Sequence, residues 1–421
     1  MIKKIFGKIS FLVVVMLVQG VLLTPVGAAQ VTPIDKIRVT WDSVPNAVMY
    51  ELVITDGKSA KKSHVVTTKT NIYTTGYELD VSFFSVECNG LYWKVRGLDI
   101  NKQPITNFTE PKLLIEAEIN PVRPKTTTQF DKLPYAKLYP VYSWIPVLRA
   151  TDYDLQVFYD PDNNPHTPDI LLKTDSIAGQ RSYDYYDDTP YRQEGSYWWR
   201  VRARNSMLEA VGAWSNPDRF KVEHDGARVA AFGDSITHGG GAVSTPPSNT
   251  LYDWETYSKV PIRNLGLSGN TVENLVNRFN DDVLPFHPKI LVIWGGINNI
   301  RLGDKATQVI AGLNRIKYKC LYNNIIPVFV TIAPINPEAM KVVSNIDVAP
   351  GWEREQQSVN AWIRSQQYYV DITGKLTDDR GWLFATMAVD GLHPDVEGKK
   401  IIGSTIGAYL SDTFSDYLVQ K

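Results

Sequence analysis

Residues 30–223 carry one pattern twice, and this repeat limits the fold more than any other feature. Trp41 is followed nine residues later by Tyr50, and Trp144 nine residues later by Tyr153, with the two tryptophans 103 positions apart. Alternating apolar residues surround each tyrosine: Leu52 and Ile54 in the first copy, Leu155 and Val157 in the second. Further on stand Trp93-Lys94-Val95-Arg96 and Trp199-Arg200-Val201-Arg202-Ala203, where bulky and basic residues alternate. A period of two gives each strand one buried and one solvated face. Each copy closes on a similar edge, Phe108-Thr109-Glu110-Pro111 or Trp214-Ser215-Asn216-Pro217. Strands at this spacing, separated by Gly, Pro, Asn and Asp, predict two β-sandwiches, residues 30–118 and 119–223.

From about Ala227 the texture changes to strands alternating with helices. Predicted strands are Val229 to Phe232, Pro261 to Leu265, Ile290 to Trp294, Ile326 to Ile332 and Tyr368 to Ile372. Predicted helices run from Thr271 to Leu284, Ala306 to Tyr322, Glu353 to Ser365 and Val396 to Leu410. The unbroken apolar run Ile290-Leu291-Val292-Ile293-Trp294 suits a strand covered on both faces. Residues 224–421 are therefore expected to form a three-layer α/β/α domain around a parallel sheet, with ligands at the carboxyl ends of its strands.

The chemistry-bearing residues fall at such ends. Gly233-Asp234-Ser235-Ile236 follows the first strand directly, and Asp390-Gly391-Leu392-His393-Pro394 precedes the last helix. Ester hydrolysis by a serine needs a reachable hydroxyl, an imidazole to take its proton and a carboxylate to orient that imidazole. Ser235, His393 and Asp390 are the candidates, although a Ser-His dyad oriented by a main-chain carbonyl would also serve. Two Gly/Asn turns lie between them, Asn264-Leu265-Gly266-Leu267-Ser268-Gly269-Asn270 and Gly295-Gly296-Ile297-Asn298-Asn299. His238 and His287 are read as structural or solvated.

With these four blocks in this order, residues 228–411 resemble the SGNH (GDSL-type) hydrolases. The resemblance implies that Ser235 attacks the ester carbonyl, that His393 is general base and then general acid, and that Asp390 orients it. It also implies an oxyanion hole made of the Ser235 and Gly269 main-chain N–H groups and the Asn298 side-chain amide. The third block departs from the family's Gly-x-Asn-Asp, because Asn299 stands where the aspartate is usual. The oxyanion donor is kept, but the network behind it must work with an amide. The two sandwiches in turn resemble fibronectin type III modules, the second more than the first. They are read as spacers, with glycan contact through Tyr185, Tyr186 and Tyr191 as the alternative.

Composition excludes several other functions. The chain has 421 residues and a net charge of -1 with no block of like charge, which argues against nucleic acid as partner. Its two cysteines, Cys88 and Cys320, fall in different predicted domains, read as buried free thiols, and are too few for a thiolate zinc site. No metal or cofactor is expected. Lys3, Lys4 and Lys8 precede an apolar stretch from Phe11 to Leu23 and the small residues Gly27, Ala28 and Ala29. Residues 1–29 therefore read as a cleaved signal peptide, leaving no membrane span and placing the product outside the cell or in the periplasm. An exported serine esterase acting on small acyl esters, acetyl above all, of a carbohydrate fits these features. The alternatives are a lysophospholipase or lipase-like acylhydrolase, and an inert surface glycan-binding protein.

Overall fold

The computed structural model describes residues 35–59, 62–84, 88–162, 164, 166–179, 183–241 and 248–418, so the predicted signal peptide lies outside the described residues. The first repeat forms two antiparallel sheets. One orders Gly76–Asp80, Lys36–Thr40 and Glu118–Ile119; the other orders Val65–Ile72, Met49–Thr55, Tyr92–Leu98 and Lys112–Leu113. The second repeat builds a matching pair. Asp184–Tyr186, Val141–Ile145 and Lys125–Thr126 make its smaller sheet, and Asp152–Asp160 pairs with Ile170–Ala178 and Gly195–Arg204 in the larger.

The repeated residues make the same contacts in both copies. The Tyr50 hydroxyl accepts from Val44 N–H at 2.9 Å, and Tyr153 accepts from Val147 N–H at 2.9 Å. Each tyrosine ring also packs on its tryptophan, at 5.4 Å from Trp41 and 5.2 Å from Trp144. At the closing edge, Thr109 N–H donates to Val95 and Ser215 N–H to Val201, both at 2.8 Å. The Thr109 and Ser215 hydroxyls accept in return from the same two residues. The spacing in the sequence thus records a tyrosine pinned under a tryptophan and a hydroxyl that holds the closing segment to its strand.

The C-terminal segment contains a parallel sheet ordered Ile262–Asn264, Val229–Gly233, Ile290–Trp294, Ile326–Val330, Tyr369–Val370. Every residue of Val229–Gly233 and Ile290–Trp294 is buried, so both faces of the sheet are covered. Helices Val272–Val283, Ala306–Tyr322 and Trp352–Arg364 pack side by side, whereas Val396–Leu418 packs on the Trp254–Tyr257 turn. The last helix outruns its predicted end, with a kink at the buried Phe414, whose backbone (φ -126, ψ 26) is not helical. Helix Pro337–Ser344 was not expected, although Asn336 caps it and Pro337 opens it.

Asp35–Lys421 form one compact unit, and a single apolar core joins Trp144 and Trp199 of the second module to Phe232 and Phe279 of the sheet domain. Spacers hung on a linker would not share a core, so the spacer reading is corrected for the second module. Two smaller expectations also change. Tyr191 is buried, with its hydroxyl 2.8 Å from Asp187, and so offers no exposed ring. Of the two free cysteines only Cys320 is buried, and burial pushes its thiol up to about 12; Cys88 is half-buried. No helix among the described residues is long and apolar enough to cross a membrane.

Candidate active site

Neighbouring parallel strands deliver the motifs to one edge of the sheet. Ser235 begins a short helix straight after Val229–Gly233, and Asp234 caps that helix through Ile236 N–H. Gly269 lies beyond Ile262–Asn264, and Asn298 is in the first turn of Ile297–Leu302, beyond Ile290–Trp294. The loop carrying Asp390 and His393 leads into the final helix, and Asn46 of the first module accepts from the first N–H of that helix at 3.1 Å. Gly391 has φ +76, and a side chain there would meet the Asn336 carbonyl. Only glycine lets the loop curl this tightly.

Ser235 Oγ lies 2.9 Å from His393 Nε2, and His393 Nδ1 lies 2.7 Å from Asp390 Oδ2. The other Asp390 oxygen accepts from the Leu392 and His393 main-chain N–H groups at 2.9 and 2.8 Å. Burial alone would raise the Asp390 carboxyl. The charge and hydrogen bond of His393, with those two amides, hold it below the usual carboxylate range instead. Asp234, fully buried behind the serine, is pushed up to about 6 chiefly by burial.

A cleft of about 350 Å³ opens beside these groups and is also lined by Gly269 and Asn298. Gly269 has φ +80 and open space where a side chain would project, so its backbone faces the cleft unshielded. Neither the Ser235 nor the Gly269 main-chain N–H has a partner among the described residues. Asn298 Nδ2 donates to the Asn270 carbonyl at 2.9 Å, and its Oδ1 accepts from Arg301 Nε at 2.9 Å. The structure therefore brings together all five residues singled out in the sequence.

Asn299 uses both ends of its amide. Its oxygen accepts from Val272 N–H at 2.9 Å, at the start of a helix, and its nitrogen donates to Asp304 at 2.8 Å. An aspartate could make the first bond but would oppose Asp304 at the second. The departure from the usual motif is thus matched by an acid five residues on.

Other residues that hold the site were not expected. Arg278 donates to the Gly233 carbonyl at 2.9 Å, the Leu265 carbonyl at 2.8 Å, Asn270 Oδ1 at 2.6 Å and Asp282 at 3.0 Å. It ties the nucleophile turn to the next loop. Asp282 in turn accepts from Tyr139 and Arg192 of the second module, at 2.7 and 2.6 Å. The only signal for this in the sequence was an Arg-Asp pair at i, i+4 on an amphipathic helix. His238 is buried; its Nε2 lies 2.7 Å from the Tyr139 carbonyl, and its Nδ1 accepts from Ser268 N–H at 3.2 Å. It bonds no member of the Ser235 set, as a structural histidine should. Tyr186 of the second module reaches the cleft wall.

Residues 231–401 match the model of the GDSL-like lipase/acylhydrolase family. No curated protein matches the chain. Among solved structures, a lipase/acylhydrolase from Enterococcus faecalis is 19% identical, with 47% of this chain and 99% of that one covered and a TM-score of 0.36. A GDSL-like lipase from Bacteroides thetaiotaomicron is also 19% identical, covering 44% and 89% at a TM-score of 0.36. A catalytic mutant of an acetylxylan esterase from Geobacillus stearothermophilus is 19% identical, covering 47% and 98% at a TM-score of 0.34.

Proposed function

From the premise that residues 231–401 are a domain of the GDSL-like lipase/acylhydrolase family, and the protein therefore an ester hydrolase, we propose that Ser235, His393 and Asp390 carry out the reaction. Ser235 Oγ attacks the ester carbonyl as its proton passes to His393 Nε2. The tetrahedral oxyanion is held by the Ser235 and Gly269 N–H groups and by the Asn298 amide proton not committed to Asn270. Collapse breaks the bond to the alcohol, which leaves with the proton from His393. Water then repeats the sequence on the acyl-serine, releasing the acid and restoring the hydroxyl. Asp390 keeps the imidazole oriented and stabilises its charged form. A removable oxyanion donor contributes on the order of 3 kcal/mol to such a step.

The observation that carries this reading is the unbroken contact from Ser235 to His393 to Asp390. For substrate, we read the protein as an exported esterase that removes small acyl groups, acetyl foremost, from a carbohydrate. Residues 1–29 are taken as its signal peptide, and residues 30–118 and 119–223 as fibronectin type III-like sandwiches. The lipase-like alternative draws on Met340, Ile346 and Leu392, which add apolar surface to the cleft. Rates on p-nitrophenyl acetate, butyrate and octanoate, with wild type and Ser235→Ala, test both. Acetate should be preferred, with activity falling by about 10⁴-fold or more in the variant. Preference for octanoate would favour the lipid reading, and full activity in Ser235→Ala would defeat the serine mechanism.

A further inference from the structure

The cleft beside Ser235 holds two groups that ester cleavage itself does not use. One is Arg301, at the C-terminal end of the Asn298 helix. Its Nε donates to Asn298 Oδ1 at 2.9 Å, which fixes the plane of the guanidinium. Its two terminal nitrogens have no hydrogen-bond or ion-pair partner among the described residues, though the group is half-buried. Of the carboxylates nearby, Asp390 is committed to His393, and Asp234 lies buried behind the nucleophile turn with its oxygen on Ile236 N–H. Asp234 acts on Arg301 only through space, and a guanidinium whose terminal nitrogens have no hydrogen-bond partner is a ready fork for a planar or tetrahedral anion in the cleft.

The other group is Tyr186, the last residue of Asp184–Tyr186, contributed by the second module and not by the sheet domain. Its ring is held edge-to-face against His238 with centroids 6.2 Å apart, yet 48% of the residue stays exposed. A large ring left half-bare beside a reactive cleft can receive a flat apolar surface, such as the C–H face of a pyranose.

Resting on the ester hydrolase reading above, we infer that this site takes the acyl ester of an acidic sugar. The pyranose lies against Tyr186 and its anionic group, a carboxylate or a phosphate, meets Arg301. Because the acyl group is small and uncharged, the charge belongs to the alcohol portion. The second module then supplies part of the substrate site, and Arg301 sets specificity for charge as well as orienting Asn298.

The test uses the full chain at low and high salt. Values of kcat/KM are compared for an acetylated uronic-acid oligosaccharide, an acetylated sugar phosphate and an acetylated neutral xylo-oligosaccharide, with p-nitrophenyl acetate as reference. At low salt one of the two acidic esters should exceed the neutral one by about 10- to 100-fold, the size of a charge-assisted contact, and salt should shrink the gap. Whichever acidic ester is preferred identifies the anion. Arg301→Met should cut the acidic-to-neutral ratio by about the same factor, and Arg301→Lys should keep part of it. Loss of Asn298 orientation lowers all substrates alike and so cancels in the ratio. Tyr186→Ala should raise KM for the saccharides more than for p-nitrophenyl acetate. If wild type cleaves p-nitrophenyl acetate through Ser235 but treats acidic and neutral esters equally, this inference is overturned and the esterase reading stands. An equal drop on all substrates in Arg301→Met would overturn it too, leaving Arg301 as a positioning residue only.

Discussion

Lys137 of the second module lies 2.7 Å from Asp253 of the sheet domain, and both side chains are shielded from water. The same ammonium donates to the His238 carbonyl at 2.7 Å, three residues beyond Ser235. Burial raises the Asp253 carboxyl, and Lys137 works against that shift. Removing Lys137 leaves buried Asp253 with only the through-space charge of Lys399 to answer it, at a cost of ~3–5 kcal/mol. Lys137→Met should lower urea stability by that order, and a paired Lys137→Met, Asp253→Leu change should recover most of it. Residues 224–421 alone should show the same defect, since Asp253 and Asp282 would both lose their partners in the second module. If that fragment folds as stably as the full chain, the pair has no structural weight.

Acid should weaken the protein through His238. Burial, the largest cause, together with the charge of Lys137 lowers its pKa to about 3. The unfolded chain takes up this proton near pH 6.5, whereas the folded one does not until about pH 3. Stability carried by the neutral ring is present above pH 6.5 and is lost as pH falls toward 3, at ~1.4 kcal/mol per unit. His238→Gln, which can still donate to the Tyr139 carbonyl, should flatten that slope in melts at pH 7, 6, 5 and 4. An unchanged slope would assign the acid sensitivity to other groups.

Asn299→Asp should destabilise the protein although it restores the family's usual residue. The new carboxylate would face Asp304 across a contact now 2.8 Å long, and a buried donor would be lost. A cost of ~1–3 kcal/mol is expected. Asn299→Asp combined with Asp304→Asn reverses the polarity of the contact and should be close to wild type in thermal melts. A double variant no better than the single one would mean that the carboxylates do not repel.

What could be read from the sequence depended on how local each signal was. The repeat stood out because Trp144, Tyr153 and Ser215 each do work fixed by spacing within one module. Ser235, Gly269 and Asn298 follow adjacent parallel strands, so alternation alone brings their motifs to one edge of the sheet. His393 needed only Asp390, three residues away, to be oriented. Lys137, Tyr139 and Arg192 carried no such signal, because each acts only after the second module has docked on the sheet domain, and Tyr186 stood out only as one of three tyrosines open to glycan contact. A lysine in an irregular stretch reads as solvated until a buried aspartate appears opposite it. Arg301 was hidden differently: it looks like an ordinary helix-ending arginine until its Nε is seen on Asn298 and its terminal nitrogens are seen unbonded beside the cleft.

Asn298 offers the sharpest test of the oxyanion assignment. Its Nδ2 already serves the Asn270 carbonyl and its Oδ1 is held by Arg301, so the amide is set before substrate arrives. A donor fixed in this way contributes little to binding a neutral carbonyl and much once that oxygen becomes charged. Asn298→Ala should therefore lower kcat by about 100-fold or more with little change in KM. Asn298→Asp should do no better, since a carboxylate would repel both the oxyanion and the Asn270 carbonyl. Equal loss in kcat and gain in KM would show instead that Asn298 shapes the cleft for ground-state binding. An unchanged kcat would move the oxyanion site away from this residue, leaving only the Ser235 and Gly269 amides to hold the charge.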